Sequence, residues 1–251
     1  MGIVQWLLKK ISKAFGRSTN SLFYTLLNRE ILKEINEITE NEEDSLIILR
    51  EIGKNAALES CERHSGIFKW MPGSPKKVVE YFELLWIVVF GKEIEEGGLN
   101  YEEIPKEGTK YNDYIVKIKN CPICASYGLD EKDTFNFQNL QNKETEGLAC
   151  GLCGMLESVA NFILKIKNND YRINIVEQNC KTKGGQCLQF ICKIYNTTEW
   201  KEFTAIRIQD KLKSGVFFEE RMEEELIQDT KLDIIDKLQE ALTLDKIEEL
   251  L

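Results

Sequence analysis

The sequence predicts an α+β fold in which an antiparallel sheet packs against helices. Apolar residues recur at helical spacing through the first third of the chain, between residues 22 and 90. The pattern then alternates with period two in three segments, at 111–119, 171–176 and 187–194. A helical segment, 149–167, separates the first two of these, and helical spacing returns in the last fifth of the chain. Helices and strands grouped in this order are typical of α+β proteins.

The first third of the chain divides into three helices. The first is Leu22–Ile38, which follows several candidate N-cap residues, and the second is Asp44–His64. The run Met71–Pro75 breaks the pattern and supplies a proline for the first turn of a third helix, Lys76–Phe90. The following segment, from 91 to 108, is polar and acidic, so we expect a loop there.

Composition divides the chain into three regions. Residues 1–19 predict a basic amphipathic helix, 20–195 a main domain, and 196–251 an acidic helical extension. The last 37 residues hold twelve acidic and four basic side chains, which is almost the whole net charge of −9. The N-terminal helix could lie on a membrane surface or dock on the protein. We favour docking, because apolar stripes usually face a core.

Charge and histidine content exclude several classes of function. A net charge of −9 argues against nucleic-acid binding, which needs a basic face. His64 is the only histidine in the sequence, which argues against most kinds of catalysis and metal binding that depend on histidine. The N-terminus does not resemble a secretory signal, and the most apolar stretch, Val78–Phe90, is too short to span a bilayer. We therefore expect a cytoplasmic protein with reduced thiols and no membrane partner.

Eight cysteines dominate the candidate chemistry, and in a reduced chain such clusters indicate metal binding. They are Cys61, Cys121, Cys124, Cys150, Cys153, Cys180, Cys187 and Cys192. The pairs Cys121-Pro-Ile-Cys124 and Cys150-Gly-Leu-Cys153 predict a four-thiolate site for zinc or, less often, iron. The cysteines at 180 and 187 flank a Gly-Gly turn, so their sulfurs can meet across a hairpin. The cysteines at 61 and 192 are expected in the core.

These residues also carry a family resemblance. The run Cys153–Ser158 and the segment Ile175–Cys187, which reads I-V-E-x-x-C-x-x-x-G-x-x-C, are followed by Leu188-Gln-Phe190. Together they resemble the 4-vinyl reductase domain, or hydrocarbon-binding domain, which shares its fold with TRAPP complex core subunits. The resemblance covers residues 20–195. It implies a TRAPP-like fold, a small apolar ligand, and a homodimer formed through the helices that carry Gly53, Ala56 and Ala57.

The resemblance also implies a specific metal site. Sensor domains of phenol- and xylene-responsive activators resemble this chain and bind zinc through three cysteines and a glutamate. Carried over by motif, the ligands are Cys153, Glu177, Cys180 and Cys187, although the last two are one residue closer together than in the sensor domains. The residues alone suggest a second set: Cys121, Cys124, Cys150 and Cys153. A mixed site stays open.

The preferred function is a domain that binds or senses a small hydrophobic molecule and is stabilised by a structural zinc ion. Trp86, Phe90 and Phe162 are the candidate pocket residues. One alternative is a reductase of tetrapyrrole vinyl groups. It would need a cysteine-bound iron–sulfur cluster, because the sequence has no G-x-G-x-x-G motif for a nucleotide cofactor. Another is a TRAPP-like structural subunit. No catalytic residue is assigned.

Overall fold

The computed structural model describes residues 21–63, 65–90, 94, 98–119, 121, 123, 147–180, 183 and 185–214. The helices are α1 (Ser21–Thr39), α2 (Glu42–Arg63), α3 (Ser65–Phe68), α4 (Pro75–Glu80), α5 (Phe82–Phe90), α6 (Cys150–Ile166) and α7 (Thr197–Ser214). The strands are β1 (Leu99–Ile104), β2 (Asp113–Ile118), β3 (Tyr171–Asn179) and β4 (Leu188–Asn196). The helices predicted within 1–19 and after 222 lie outside these residues.

The four strands form one antiparallel sheet in the order β1-β2-β4-β3. Ile118 pairs with Leu188 between β2 and β4, and Ile175 pairs with Cys192 between β3 and β4. The alternation predicted from the sequence is present: Tyr114 and its period-two neighbours in β2 are buried on the face that the helices cover. The predicted α+β fold with an antiparallel sheet packed against helices is therefore confirmed.

Two predictions from the sequence were wrong. The segment 91–108 was expected to be a loop, but it contains β1. This strand lies at the edge of the sheet and pairs only with β2, and four of its six residues are exposed, so it shows no apolar alternation. The single helix Lys76–Phe90 is in fact two helices. They divide at Tyr81, whose N–H bonds to the carbonyls of both Lys77 and Val78 as the last turn tightens.

Helices α2 and α6 pack together through glycine. A Cβ atom at Gly53 would overlap the carbonyl oxygen of Gly151, and one at Gly154 would overlap that of Arg50. The backbones approach this closely only because these positions carry no side chain. The family resemblance implied a contact between two subunits through the helices that carry Gly53, Ala56 and Ala57. Gly53 and Ala57 are instead buried within one chain, whereas Ala56 is exposed.

Helix α6 runs beside the outer edge of β3 and satisfies its backbone. The side chain of Asn161 accepts a hydrogen bond from the Ile173 N–H at 2.8 Å and donates one to the Ile173 carbonyl at 2.9 Å. One helical turn earlier, Glu157 Oε2 accepts the Ile175 N–H at 2.9 Å. Four helical residues rise about 6 Å and two strand residues about 6.6 Å, so the two spacings nearly match. The edge strand is thereby closed to further pairing.

A buried ion pair completes this seam between helix and strand. Arg50 of α2 donates to Glu157 Oε2 at 2.5 Å and to the Ile175 carbonyl at 2.7 Å. Asn174 donates to the same carboxylate oxygen at 2.8 Å, and Lys54 lies 3.4 Å from the other oxygen. Both members of the pair are almost fully buried, so each charge depends on these partners. The network fixes α2, α6 and β3 relative to one another and so positions the cysteine-rich end of the sheet.

Candidate metal centre

Glu177 is the central residue of the site. It lies near the end of β3 and is 2% exposed. Its Oε2 accepts a hydrogen bond of 2.7 Å from the backbone N–H of Ala149, directly before α6 begins. An N–H at a helix start is a favourable partner for a carboxylate, because the helix dipole is positive there. Its Oε1 accepts no hydrogen bond of standard geometry from the described residues, although it is buried.

The surroundings of Glu177 oppose a negative charge. Burial raises the pKa of its carboxyl well above the ordinary value, and the neighbouring thiols of Cys180 and Cys121 raise it further. The ammonium of Lys183 acts in the opposite direction. Both thiols are buried. Three groups with metal-ligand chemistry, one carboxylate and two thiols, are thus close enough to influence one another.

The hairpin between β3 and β4 is folded onto Cys180. The carbonyl of Cys180 accepts hydrogen bonds from Lys183 N–H at 3.0 Å and Gly185 N–H at 2.8 Å. These two bonds turn the chain back, in agreement with the turn that the Gly-Gly pair predicted. Cys187 follows this turn directly before β4 and is half-buried. The hairpin therefore keeps the Cys180 side chain beside the carboxyl group of Glu177.

Cys153 and Cys150 lie on different sides of α6. The Cys150 thiol donates to the carbonyl of Leu46 in α2 at 3.3 Å, so it faces α2. Cys153 is fully buried and lies on the stripe Ala149–Cys153–Glu157, with one helical turn between neighbours. The side chain of Glu157, the last member of that stripe, accepts the Ile175 N–H of β3, whereas Ala149 contacts Glu177 through its backbone N–H. The helical spacing therefore directs Cys153 towards the end of β3.

Three further cysteines were assigned from the sequence, two to the core and one to the second ligand set. Cys61 and Cys192 are buried in the core, as predicted, and burial raises the pKa of both thiols. Cys124, a member of the second ligand set, lies outside the described residues. In the part of the chain that the structure describes, no group of three or more Cys, His, Asp or Glu side chains has the arrangement of a bound-metal site. Both predicted ligand sets therefore stay predictions.

Whether a metal ion suits this site depends on the chemistry of its possible ligand atoms. Glu177 has a buried oxygen with no hydrogen bond of standard geometry from the described residues, and polar atoms of this kind are normally satisfied in folded proteins. Thiolate and carboxylate ligands are those that zinc accepts in closed structural sites. The residues at the helix start and the hairpin therefore fit zinc chemically.

Two of the three candidate pocket residues lie in the core. Trp86 and Phe162 are both buried, and the Phe162 ring packs edge-to-face on Phe68 at 5.7 Å between centroids. The ring of Phe82 lies 6.1 Å from that of Phe190 in β4. Phe90 is the last residue of α5, and its side chain is outside the described residues. Aromatic side chains are therefore concentrated between the helices and the sheet.

Sequence reasoning missed the polar residues of α6 and α2 that contact β3. Glu157 and Asn161 are four residues apart in a helix that is otherwise almost wholly apolar, and Arg50 lies in the neighbouring helix. Polar side chains at this spacing within an apolar helix are a usable signal, because burial requires them to find a partner. The signal indicates a polar contact but does not identify the strand that provides it.

Known proteins are similar to this chain in structure but not in sequence. The sequence matches no protein-family model and no curated protein. The structure is similar to trafficking protein particle complex subunit 3 from Naegleria fowleri, covalently bound to palmitic acid. The TM-score is 0.49 at 11% identity, over 70% of this chain and 96% of that chain. It is also similar to the phenol-responsive sensory domain of the transcription activator PoxR with phenol. Here the TM-score is 0.42 at 11% identity, over 70% of this chain and 75% of that chain.

A helix that crosses a bilayer must be both long and apolar. Among the helices of the described residues, none combines the length and the apolar character needed to cross a bilayer.

Proposed function

We propose that this chain is a binding or sensing domain for a small hydrophobic molecule, stabilised by a structural zinc ion. The ligands of the ion are Cys153, Glu177, Cys180 and Cys187. The observation that carries the proposal is the buried carboxyl group of Glu177. One of its oxygens takes the N–H of Ala149, and the other has no hydrogen bond of standard geometry from the described residues.

A cation at Glu177 accounts for this arrangement. Burial of a carboxylate costs free energy unless its oxygens have partners, and a bound zinc ion would be a partner for Oε1. The thiol of Cys180 already lies beside the carboxyl group, and the helical spacing directs Cys153 towards it. Binding draws these sulfur and oxygen atoms together, since zinc bonds to sulfur at about 2.3 Å.

The proposed site is structural and not catalytic. Three thiolates and one carboxylate fill the tetrahedral coordination of zinc, so no position stays open for a substrate. An ion held only by the folded chain stabilises the fold by the free energy of its binding. It would join the start of α6 to the hairpin after β3, two segments more than 25 residues apart in sequence.

The hydrophobic ligand is proposed to lie among the aromatic residues between the helices and the sheet. Trp86, Phe90 and Phe162 are the residues assigned to this pocket. A mainly apolar lining with few polar groups is typical of sites for small hydrophobic molecules. Of the four tryptophans, Trp86 is buried and Trp70 is 71% exposed, so a ligand in the core beside Trp86 changes the emission of Trp86 and not that of Trp70.

The proposal includes a cytoplasmic location and a homodimer. Reduced thiols are needed for zinc binding, and no disulfide bond joins the cysteines of the described residues. The apolar side chains of Leu27, Ile38 and Ile52 are exposed on α1 and α2 and are available to a second subunit. Sedimentation of the purified chain should therefore give twice the monomer mass, and the substitution Ile38→Asp should give a monomer.

Two titrations test the proposed function. Phenol and palmitic acid serve as probes of two sizes, and binding is followed by tryptophan fluorescence. We expect a saturable change with at least one probe that is absent in Trp86→Phe and retained in Trp70→Phe. No saturable change with either probe would contradict the pocket. A brown protein that contains iron would instead support the reductase alternative.

A further inference from the structure

We propose that the acidic segment 215–251 of this chain docks on the far face of the sheet. The far face is the one opposite the buried side chains of β2 and β4, and it carries Ile115, Lys117, Val176, Ile191 and Lys193. The segment would form a second layer over the sheet. The inference does not depend on the proposed zinc ion or on the proposed hydrophobic ligand.

Three apolar side chains form a row across the far face. Ile115 pairs with Ile191, and Ile191 pairs with Val176, so the row crosses three adjacent strands. The next residues of β2 and the preceding residue of β4, Val116 and Phe190, are fully buried in the core. Successive side chains of a strand point to opposite faces, so the row lies on the side away from that core. All three side chains are half-buried, and together they leave apolar surface that a further layer can cover.

Helix α7 leads the chain onto this face. Tyr195 follows Ile194, which is buried in the core, so the tyrosine ring lies on the far face. The ring stacks on Phe203 at 5.1 Å between centroids and lies 6.1 Å from the ring of Trp200. The first two turns of α7 are thus packed on the far face beside the end of β4. The chain continues from α7 directly into the acidic segment.

The charges of the face and of the segment are of opposite sign. The segment holds twelve acidic and four basic side chains. The far face has two acidic side chains in β1 and β2, and one of them, Glu102, is paired with Lys117 at 3.0 Å. The other, Asp113, accepts a backbone N–H of β4 at 2.8 Å. Four basic side chains lie on or beside the face: Lys106, Lys117, Arg172 and Lys193.

The segment also has the pattern and the length to cover the row. Ile235, Leu238 and Leu242 recur at helical spacing, which predicts a helix with one apolar side. A helix of 37 residues is about 55 Å long, whereas a strand of nine residues such as β4 spans about 30 Å. The segment can therefore lie along the whole strand with its apolar side on the row and its carboxylates near the lysines.

Zero-length cross-linking of the unmodified full chain tests which segment occupies the face. Chains labelled with ¹⁵N and unlabelled chains are refolded together, treated with a carbodiimide that joins lysine to carboxylate, and analysed by mass spectrometry. We expect Lys193, which is exposed on the far face, to be linked to a carboxylate of 215–251 within one chain. Lys76, exposed on α4 at the side of the helices, is the control and should give no such link.

Three results of the cross-linking would overturn the inference. Links that join labelled to unlabelled chains would show that a second copy occupies the face. Equal linking of Lys76 and Lys193 to the segment would show that its contacts are not specific. A Lys193 side chain that is linked to no carboxylate of 215–251 would show that the segment lies elsewhere.

Hydrogen exchange of the full chain provides the second test. Amides of 222–251 should be protected in the wild type and exchange about fivefold faster in Ile191→Thr, which makes the apolar row polar and keeps a β-branched side chain. Ile52→Thr, at an exposed position of α2, is the matched control and should leave the segment unchanged. Unchanged exchange of α6 shows that a variant is folded.

A charge reversal keeps this test decisive if Ile191→Thr disturbs the sheet. Lys193 is exposed, so Lys193→Glu leaves the core packing intact and should also speed exchange of the segment by repelling its carboxylates. A segment without protection in the wild type would overturn the inference. So would a segment that exchanges equally in the wild type and in a folded Ile191→Thr or Lys193→Glu chain.

Discussion

Replacement of Asn161 by leucine removes the two hydrogen bonds between this side chain and the backbone of Ile173. Their lengths are 2.8 and 2.9 Å, and Asn161 is 6% exposed, so water cannot easily replace the lost partner. Each buried backbone group left without a partner costs about 1–3 kcal/mol, and two groups are affected. Leucine has the same number of side-chain heavy atoms, branched at the same carbon, so no cavity is formed. We expect Asn161→Leu to lower the free energy of unfolding by about 2–6 kcal/mol.

Urea denaturation followed by circular dichroism measures this loss. Asn55 in α2 is exposed, so Asn55→Leu makes the same chemical change without touching the sheet, and it should stay within about 0.5 kcal/mol of the wild type. Hydrogen exchange gives a local measurement, because the Ile173 amide should exchange faster in Asn161→Leu. An Asn161→Leu chain as stable as the Asn55→Leu chain would refute the account of the β3 edge.

Three further predictions concern other contacts in the fold. Arg50→Leu should cost about 3–5 kcal/mol in urea denaturation, because it leaves the charge of Glu157 buried without its main partner. Gly53→Ala should lower the melting temperature, because its Cβ overlaps a backbone carbonyl and overpacking costs about 1–3 kcal/mol. Hydrogen bonds from Tyr114 and Lys76 lower the pKa of Glu103, so NMR titration should find it below its unfolded value. Its contribution to stability is then present above the unfolded pKa and is lost as the pH falls through the folded pKa.

Matched variants separate these effects from general damage. Gly66→Ala places its Cβ in open space, so it should melt like the wild type, and equal melting of Gly53→Ala would contradict the close approach of α2 and α6. Tyr114→Phe removes the principal donor to Glu103, so the pKa of that carboxyl group should rise towards its ordinary value. No change in Tyr114→Phe would contradict the assigned cause. Unchanged stability of Arg50→Leu would show that the buried pair is dispensable.

Helices and strands with a strong apolar periodicity were predicted well, and those with a weak one were not. Helix α6 and strand β2 have strong periodicity on one face, and both were predicted within two residues at most boundaries. Strand β1 could not be predicted, because its edge position leaves Tyr101 and Glu102 exposed and removes the alternation. The break at Tyr81 was also missed, since the apolar pattern continues across it.

The candidate site was predictable in its residues but not in its geometry. The motif identified Glu177 and Cys180, which lie together at the hairpin. Spacing could not show that the thiol of Cys150 faces α2, because that direction is set by the packing of two helices. Nor could it show that Ala149 donates to Glu177, a contact between residues 28 positions apart. Contacts of this kind depend on the tertiary fold and have no local signature.

The most direct test of the central claim is native mass spectrometry of the full chain, purified under reducing conditions. The account predicts a mass increase of one zinc ion per chain. Cys153→Ala should lose that increase and melt at a much lower temperature, because Cys153 belongs to every ligand set considered. A wild-type chain that carries no metal, or a Cys153→Ala chain that keeps its zinc and its melting temperature, would contradict the account.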